Sequence, residues 1–597
     1  MNLDAMHGTV RRPFTGGAAD ALLDDALAAR PAPPSRRAGA APPLSAALLW
    51  MLFGGFVLIT LCALGVRTLV PPDEGRYAEI GREMFASGDW ITTRLNGIKY
   101  FEKPPLQAWM NALTFTLFGL GEWQARLWTG VCGILGVVMT AWAGRVVFSP
   151  RVGLYAGLVL ASTLFWLASG QINSLDMSLS GMMATSLAAV LIAQRDGATT
   201  GQRRAWMLVA WAAMALAVLA KGLVGVVLPG AVLVLYGAAA RDWRVWTRLH
   251  MGKGLLLFVA IAAPWFILVA QRNPEQPHFF FIHEHVDRFL SPGHQREGPW
   301  YAFIMLLLPG MLPWLGWLPH ALAEGVKRAP GRFQPRLLLL IWFVFIFVFF
   351  SMSSSKLPGY IVPVFPALAL LTALCLDAAG RRPHMVAAAL LALVGAVLVV
   401  AVPVALATGA GAAGSAPHSL RSYQPWLMFA GCILLVGGCL AWFHAARGRR
   451  DPTVLTMAVA GFLATHLIVA GFEVYGKDRA GTALLPAIRA ELTPSTKLYA
   501  VGRYEQSLTF YLGRPAMLVE YVDEFAFGLQ QEPRLALSGL DEFVALWRRD
   551  AAAGLPSMAI ASPALYDRLR QRGVPMRLVA RDGRRLVISN QLTKGLP

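Results

Sequence analysis

Apolar runs of about 20 residues, repeated along the chain, constrain this sequence more than any other feature. A run of that length crosses a bilayer, and inside hydrocarbon its N–H and C=O groups must pair within the segment, which makes it a helix. Thirteen runs are legible: Leu44–Val70, Trp123–Val147, Val152–Gly170, Asp176–Gln194, Ala205–Ala220, Gly222–Ala240, Gly254–Ala270, Trp300–Leu322, Leu337–Met352, Gly359–Asp377, Met385–Leu406, Tyr423–Phe443 and Pro452–Phe472. The composition agrees: 56% of 597 residues are hydrophobic and only 15% are charged, too few charges for a soluble chain of this size. The predicted fold class is a polytopic α-helical membrane protein of about 13 transmembrane helices.

Basic residues orient the spans. Arg195–Arg204, Arg241–Lys253, Lys327–Arg336, Arg381–Arg382 and Arg447–Arg450 are Lys/Arg-rich loops, hence cytoplasmic, and they alternate correctly from residue 176 onward. Counting backward makes Arg145–Arg151 cytoplasmic and Asp73–Lys103 external. The apolar stretch Pro104–Leu120 breaks this parity if it spans. It is read as an external juxtamembrane helix lying in the interface, started by Pro104-Pro105. A re-entrant pair would satisfy the same parity.

Residues 1–43 are Ala/Pro/Arg-rich, carry no signal-peptide-like apolar core, and are expected to form a disordered cytoplasmic tail. Residues 44–472 form the transmembrane domain with the external loop 71–122, and 473–597 a small external α/β domain. That last assignment rests on short segments at Lys497–Val501, Gln506–Leu512, Met517–Val519, Leu540–Ala551, Met558–Ala561 and Arg577–Val579. The five cysteines sit in apolar runs without zinc-site spacing, so packing is their expected role. The net charge of +19 is largely topogenic, with some of it suited to anionic lipid or substrate; nucleic acid is not an expected partner.

Ionisable residues beside membrane spans are expensive and usually functional. Five clusters of them fall on the external side. The first is Pro72-Asp73-Glu74-Gly75-Arg76-Tyr77, where Asp73 is either the N-cap of a helix over 74–87 or a ligand for sugar or phosphate. The second is Lys99-Tyr100-Phe101-Glu102-Lys103-Pro104-Pro105, whose prolines set the direction of the preceding side chains. Lys103 suits a phosphate as a point charge, and Glu102 could hold a metal or simply pair with Lys103. Asp176 starts a span and faces the same compartment. His283-Glu284-His285-Val286-Asp287-Arg288 lacks metalloprotease spacing, though one His beside a Glu from another loop could bind a metal. Ser353-Ser354-Ser355-Lys356-Leu357-Pro358-Gly359-Tyr360 offers hydroxyls, a Lys and backbone N–H groups to a phosphate, or is ordinary turn chemistry.

Pro-Asp-Glu-x-Arg-Tyr after the first span and Glu-Lys-Pro-Pro before an amphipathic helix resemble the polyprenol-phosphate-dependent GT-C glycosyltransferases, which include the protein O-mannosyltransferase relatives. The Phe-Glu-Lys-Pro-Pro-Leu form, the Leu-Asp-Met segment and the Ser-Lys-Leu-Pro-Gly-Tyr loop are closer still to the aminoarabinose lipid A transferases. The resemblance implies a GT-C fold in the bacterial inner membrane, with active site and C-terminal domain periplasmic. It implies an undecaprenyl phosphate donor carrying 4-amino-4-deoxy-L-arabinose, a lipid A phosphate as acceptor, and resistance to polymyxin and cationic antimicrobial peptides as the outcome. The positions matching Asp73, Lys103 and Asp176 are the expected catalytic residues. Arg76, Tyr77, Tyr100, Glu102, His283, Arg288, Lys356 and Tyr360 are the expected substrate-binding ones. Glu102 and His283 match positions suited to a divalent, zinc-like ion.

In an inverting transfer of this kind the main task is to neutralise charge on the leaving phosphate, for which Lys103, Arg76, Arg288 and Lys356 are candidates. A serine or threonine acceptor needs a general base; a lipid A phosphate is already ionised and needs none. With the lipid acceptor, Asp73 orients the sugar or binds its ammonium group. A protein hydroxyl acceptor and a lipid-linked sugar transporter are the rival expectations. The transporter is disfavoured because the sequence shows no internal repeat.

Overall fold

The computed structural model describes residues 45–282, 298–407 and 417–592. Among these, ten helices are long and apolar enough to cross a membrane alone. Two further spans are bent pairs, Pro150–Ser162 with Leu164–Gly170 at 64° and Ala302–Gly310 with Leu315–Gly325 at 111°. The apolar helix Val224–Ala240, at 17 residues, is one residue shorter than the shortest of those ten. Each of the thirteen apolar runs therefore coincides with a helix or a bent pair. The bundle core holds Trp166, Trp314, Trp317 and Trp342, all fully buried. All five cysteines are free thiols.

The external loop 71–122 is structured throughout. A helix over Asp73–Ser87 leads to a short antiparallel hairpin, β1 (Arg94–Leu95) with β2 (Ile98–Lys99), and then to a helix over Leu106–Phe118. At 13 residues this last helix spans roughly 20 Å, short of the ~30 Å hydrocarbon core. It packs one side on the Asp73–Ser87 helix and leaves Leu113, Leu117 and Phe118 exposed on the other, the pattern of an interfacial helix.

The C-terminal domain holds a six-stranded sheet in the order β5 (Ala536–Leu537), β4 (Met517–Val519), β3 (Lys497–Val501), β6 (Ser557–Ala561), β8 (Leu586–Ser589), β7 (Arg577–Arg581). β3 pairs in parallel with β4 and β6, while β8 runs antiparallel between β6 and β7. Helices Gln506–Leu512, Leu540–Ala552 and Pro563–Gln571 connect strands, as parallel pairing requires.

One sheet face buries Tyr499, Phe543, Trp547 and Leu569 within the domain. The opposite face does not close on itself. Leu498, Tyr504, Leu508, Leu518 and Phe525 share a core with Ile80, Met84, Leu95, Ile98 and Tyr100 of the external loop. The soluble domain is thus built on the loop that carries the first two ionisable clusters. Gly75 sits where this contact is tightest: a Cβ there would lie 2.6 Å from the Ser507 backbone nitrogen and 2.8 Å from its Cα.

Candidate functional site

The Asp73–Ser87 helix begins at Asp73 itself. Pro72 holds the N-cap position, and no side chain caps this end. The N-cap role expected for Asp73 is therefore corrected: a prolyl ring with helical backbone angles fills that place, and the carboxylate turns back along the helix to Arg76, 3.0 Å away. Asp73 keeps 47% of its side chain exposed while Arg76 is buried. The other guanidinium edge, Nε of Arg76, lies 2.6 Å from Glu524 of the soluble domain. Gln506 Nε2 donates to the second Glu524 oxygen at 2.7 Å. Burial works against the Arg76 charge, yet Tyr100, Glu524, Tyr77 and Asp73 together hold its pKa above the ordinary guanidinium value.

Tyr77 marks where the clusters meet. Burial pushes its phenol up, and the carboxylates of Asp73, Glu102 and Asp176 push it further, with Arg76 opposing. Four ionisable groups from three separate segments therefore act on one phenol. Tyr100 is buried beside Arg76, Glu102 and Glu524 and is raised by the same burial. The Lys103 ammonium donates to the Glu102 carbonyl at 2.8 Å.

Asp176 is likewise not an N-cap. Ser174 takes that position, and Asp176 lies in the first turn of the Leu175–Gln194 helix, where it accepts from the Lys221 ammonium. Lys221 ends the Thr200–Lys221 helix, and its ammonium stands 4.7 Å from the centre of the Tyr360 ring. Gly359 makes room for this pair: a Cβ there would sit 2.4 Å from an Asp176 carboxylate oxygen. The glycine of the Ser-Lys-Leu-Pro-Gly-Tyr loop is thus a packing requirement of the acid beside it.

Lys356 lies against the end of a helix. Its ammonium donates to the carbonyls of Phe350, Ser351 and Ser353, closing the end of the Pro335–Met352 helix. Arg76, expected at the donor phosphate, lies between two carboxylates, Asp73 and Glu524. His283 and Arg288 lie outside the described residues. Among the described residues no group of three or more His, Cys, Asp or Glu is placed to hold a metal ion, so Glu102 does not form a metal site with its described neighbours alone.

Beneath the cluster, Glu74 anchors the whole entrance. Arg126 Nε and Nη2 donate to its two oxygens at 2.6 and 3.0 Å, and the Asn173 backbone N–H donates at 3.0 Å. Arg126 also donates to the Leu64, Arg67 and Thr68 carbonyls. Burial would raise the Glu74 carboxyl, but Arg126 and Arg67 outweigh it and keep it below its ordinary value. Asp73 and Glu74 also border a cavity of about 350 Å³ with Arg67, Ile172, Tyr423 and Phe472 at the external ends of the spans.

Sequence reasoning missed Glu524 and the partner of Lys221. Lys221 is a lone cation between apolar runs, which loop parity places at the external membrane edge within reach of a phosphate, yet nothing local ties it to Asp176. Glu524 sits in Tyr-Val-Asp-Glu-Phe, which reads as ordinary soluble-domain surface.

Fold and site together define a GT-C-type membrane protein, a helical bundle whose external ionisable site is roofed by a soluble α/β domain. The aminoarabinose transferase C-terminal domain family matches residues 484–590, and the dolichyl-phosphate-mannose-protein mannosyltransferase family matches residues 46–280. The crystal structure of ArnT from Cupriavidus metallidurans bound to undecaprenyl phosphate is 41% identical and superimposes with a TM-score of 0.86, covering 93% of this chain and 100% of that one. The chain belongs to the ArnT family of undecaprenyl-phosphate aminoarabinose transferases. Curated relatives include the undecaprenyl phosphate-alpha-4-amino-4-deoxy-L-arabinose arabinosyl transferase of Edwardsiella ictaluri, 33% identical over 53% of this chain and 57% of the relative. The corresponding transferase 1 of Sodalis glossinidius is 36% identical over the same shares. The matched stretch thus spans less than two thirds of the length of these curated relatives.

Proposed function

We propose that this chain transfers 4-amino-4-deoxy-L-arabinose from undecaprenyl phosphate to a lipid A phosphate at the periplasmic face of the bacterial inner membrane. The product carries fewer phosphate charges, and resistance to polymyxin and other cationic peptides follows. The observation that carries this reading is the 41% likeness, over the full length of the solved chain, to an ArnT bound to undecaprenyl phosphate. The site supports it chemically. Lys103 and Lys221 bring cations to the external mouth, where a leaving phosphate needs its charge met. Asp73, half-exposed at the same mouth, is suited to orient the sugar or bind its ammonium. An ionised acceptor phosphate requires no base, so none is assigned.

The mannosyltransferase likeness over 46–280 keeps a protein hydroxyl as the rival acceptor. The aminoarabinose-type C-terminal domain weighs against it. A divalent ion at Glu102 and His283 belongs to the same proposal as a source of positive charge near the leaving phosphate; no step is derived through it. The test is transfer by the purified protein in lipid nanodiscs, from undecaprenyl phosphate–aminoarabinose to lipid A, run with and without chelator and followed by mass spectrometry. Sugar on lipid A supports the reading, and sugar on a protein acceptor alone, or transport without covalent transfer, overturns it. Loss of activity with chelator and recovery with zinc supports the metal; indifference to chelator removes it.

A further inference from the structure

Glu524 comes from a different domain than every other acid at the mouth, and its placement is specific. Its side chain is 7% exposed, its Oε2 lies 2.6 Å from Arg76 Nε, and Gln506 holds its Oε1 at 2.7 Å. Arg76 offers two edges. Nε is paired with Glu524 by charge and distance, without hydrogen-bond geometry, and Nη1 reaches Asp73 at a single oxygen. Without Glu524 the same guanidinium would be fully available to Asp73, and a planar fork closes on a carboxylate at both oxygens. The Asp73–Arg76–Glu524 group carries two negative charges against one positive. Burial pushes the Glu524 carboxyl up and the Arg76 guanidinium opposes it; with both acids ionised the surplus falls at Asp73, the exposed member, since Glu524 is buried and held by Gln506.

We propose that Glu524 is a positioning residue that makes the site selective for a cationic sugar: by engaging Arg76 it leaves the Asp73 carboxylate with charge to offer an ammonium group. The proposal rests on the aminoarabinose reading above. It assigns the soluble domain a part in donor selection, and it explains why that domain is docked so tightly, through Gly75 against Ser507, directly beside the Arg76 helix turn.

The test uses the full chain in nanodiscs and two donors, undecaprenyl phosphate carrying the 4-amino sugar and its neutral 4-hydroxy counterpart. Wild-type protein is expected to favour the amino donor. Glu524→Gln should raise KM for the amino donor roughly tenfold, the scale of one weakened charged contact. It should leave kcat within about twofold and change KM for the hydroxy donor little. Inhibition by undecaprenyl phosphate alone should be the same in both proteins, which certifies folding and phosphate binding. Glu524→Asp should recover part of the selectivity. Gln506→Leu, which loosens Glu524 without removing its charge, should shift selectivity in the same direction by less. Unchanged selectivity in Glu524→Gln, or equal losses for both donors together with weakened undecaprenyl phosphate inhibition in both Glu524 and Gln506 variants, overturns the proposal. Absence of wild-type turnover with the amino donor overturns the parent reading, and this one with it.

Discussion

At the residue scale the site is a set of ion pairs that each hold one member in reach of a ligand. Asp73 is the exposed end of the Arg76 pair, and Asp176 is fixed by Lys221. Asp73→Asn is expected to lower kcat at least ~100-fold with folding intact, because it removes the charge and keeps the shape. The pH–rate profile of the wild type should show no limb that disappears in this variant; such a limb would mean that Asp73 takes a proton. Asp176 and Lys221 are coupled by contact, so Asp176→Asn and Lys221→Met should each disable transfer. The double variant should cost less than their sum by roughly 1–3 kcal/mol in a thermal-unfolding cycle. Gly359→Ala separates position from charge: its methyl displaces the Asp176 carboxylate, so activity should fall well over tenfold while the melting temperature moves little. Lys356 shows what a sequence leaves open. A Lys four residues past a helix end can reach free carbonyls, and a sequence does not say whether a ligand or the helix terminus claims it.

At the scale of elements, the Asp73–Ser87 helix is the hinge between membrane and soluble parts. Its outer face enters the sheet core and its inner face the bundle. Gly75→Ala should destabilise the chain by about 1–3 kcal/mol, since backbone at Ser507 has to move, and the loss should appear in thermal unfolding of the full chain. On the same helix, burial and then Glu79 push the Glu83 carboxyl up to about 8, against the opposing pull of the Gly97 N–H and Arg82. The folded state therefore binds this proton more tightly than the unfolded chain, and stability contributed here is lost as pH rises from about 4.5 to 8. Glu83→Gln should flatten the fall in melting temperature over that window; an unchanged slope would place the titration elsewhere. Such elements were partly legible. Apolar runs announce spans because the bilayer forces one backbone solution, and Pro104-Pro105 announces the start of the interfacial helix. The break at Thr163 within one span, the carboxylate shared across 448 residues between Arg76 and Glu524, and the Asp176–Lys221 pair are tertiary facts with no local signal.

At the scale of the whole molecule, the soluble domain and the external loop form one body through a common core, and the ionisable clusters lie where that body meets the bundle. Parity of basic loops was enough to put those clusters in one compartment. It could not show that Arg76 would be turned inward to an acid of the C-terminal domain, because that depends on which sheet face is left open. On the proposed function, two membrane lipids meet at the external mouth without a general base, and Lys103 and Lys221 answer the donor phosphate. The most direct test is single-turnover transfer by the purified chain in nanodiscs, from undecaprenyl phosphate–aminoarabinose to lipid A, with product read by mass spectrometry. The expected product is one aminoarabinose on a lipid A phosphate with the anomeric centre inverted, formed at least ~100-fold more slowly with Asp73→Asn. Transfer at an undiminished rate in Asp73→Asn, or a product with retained configuration, would contradict it.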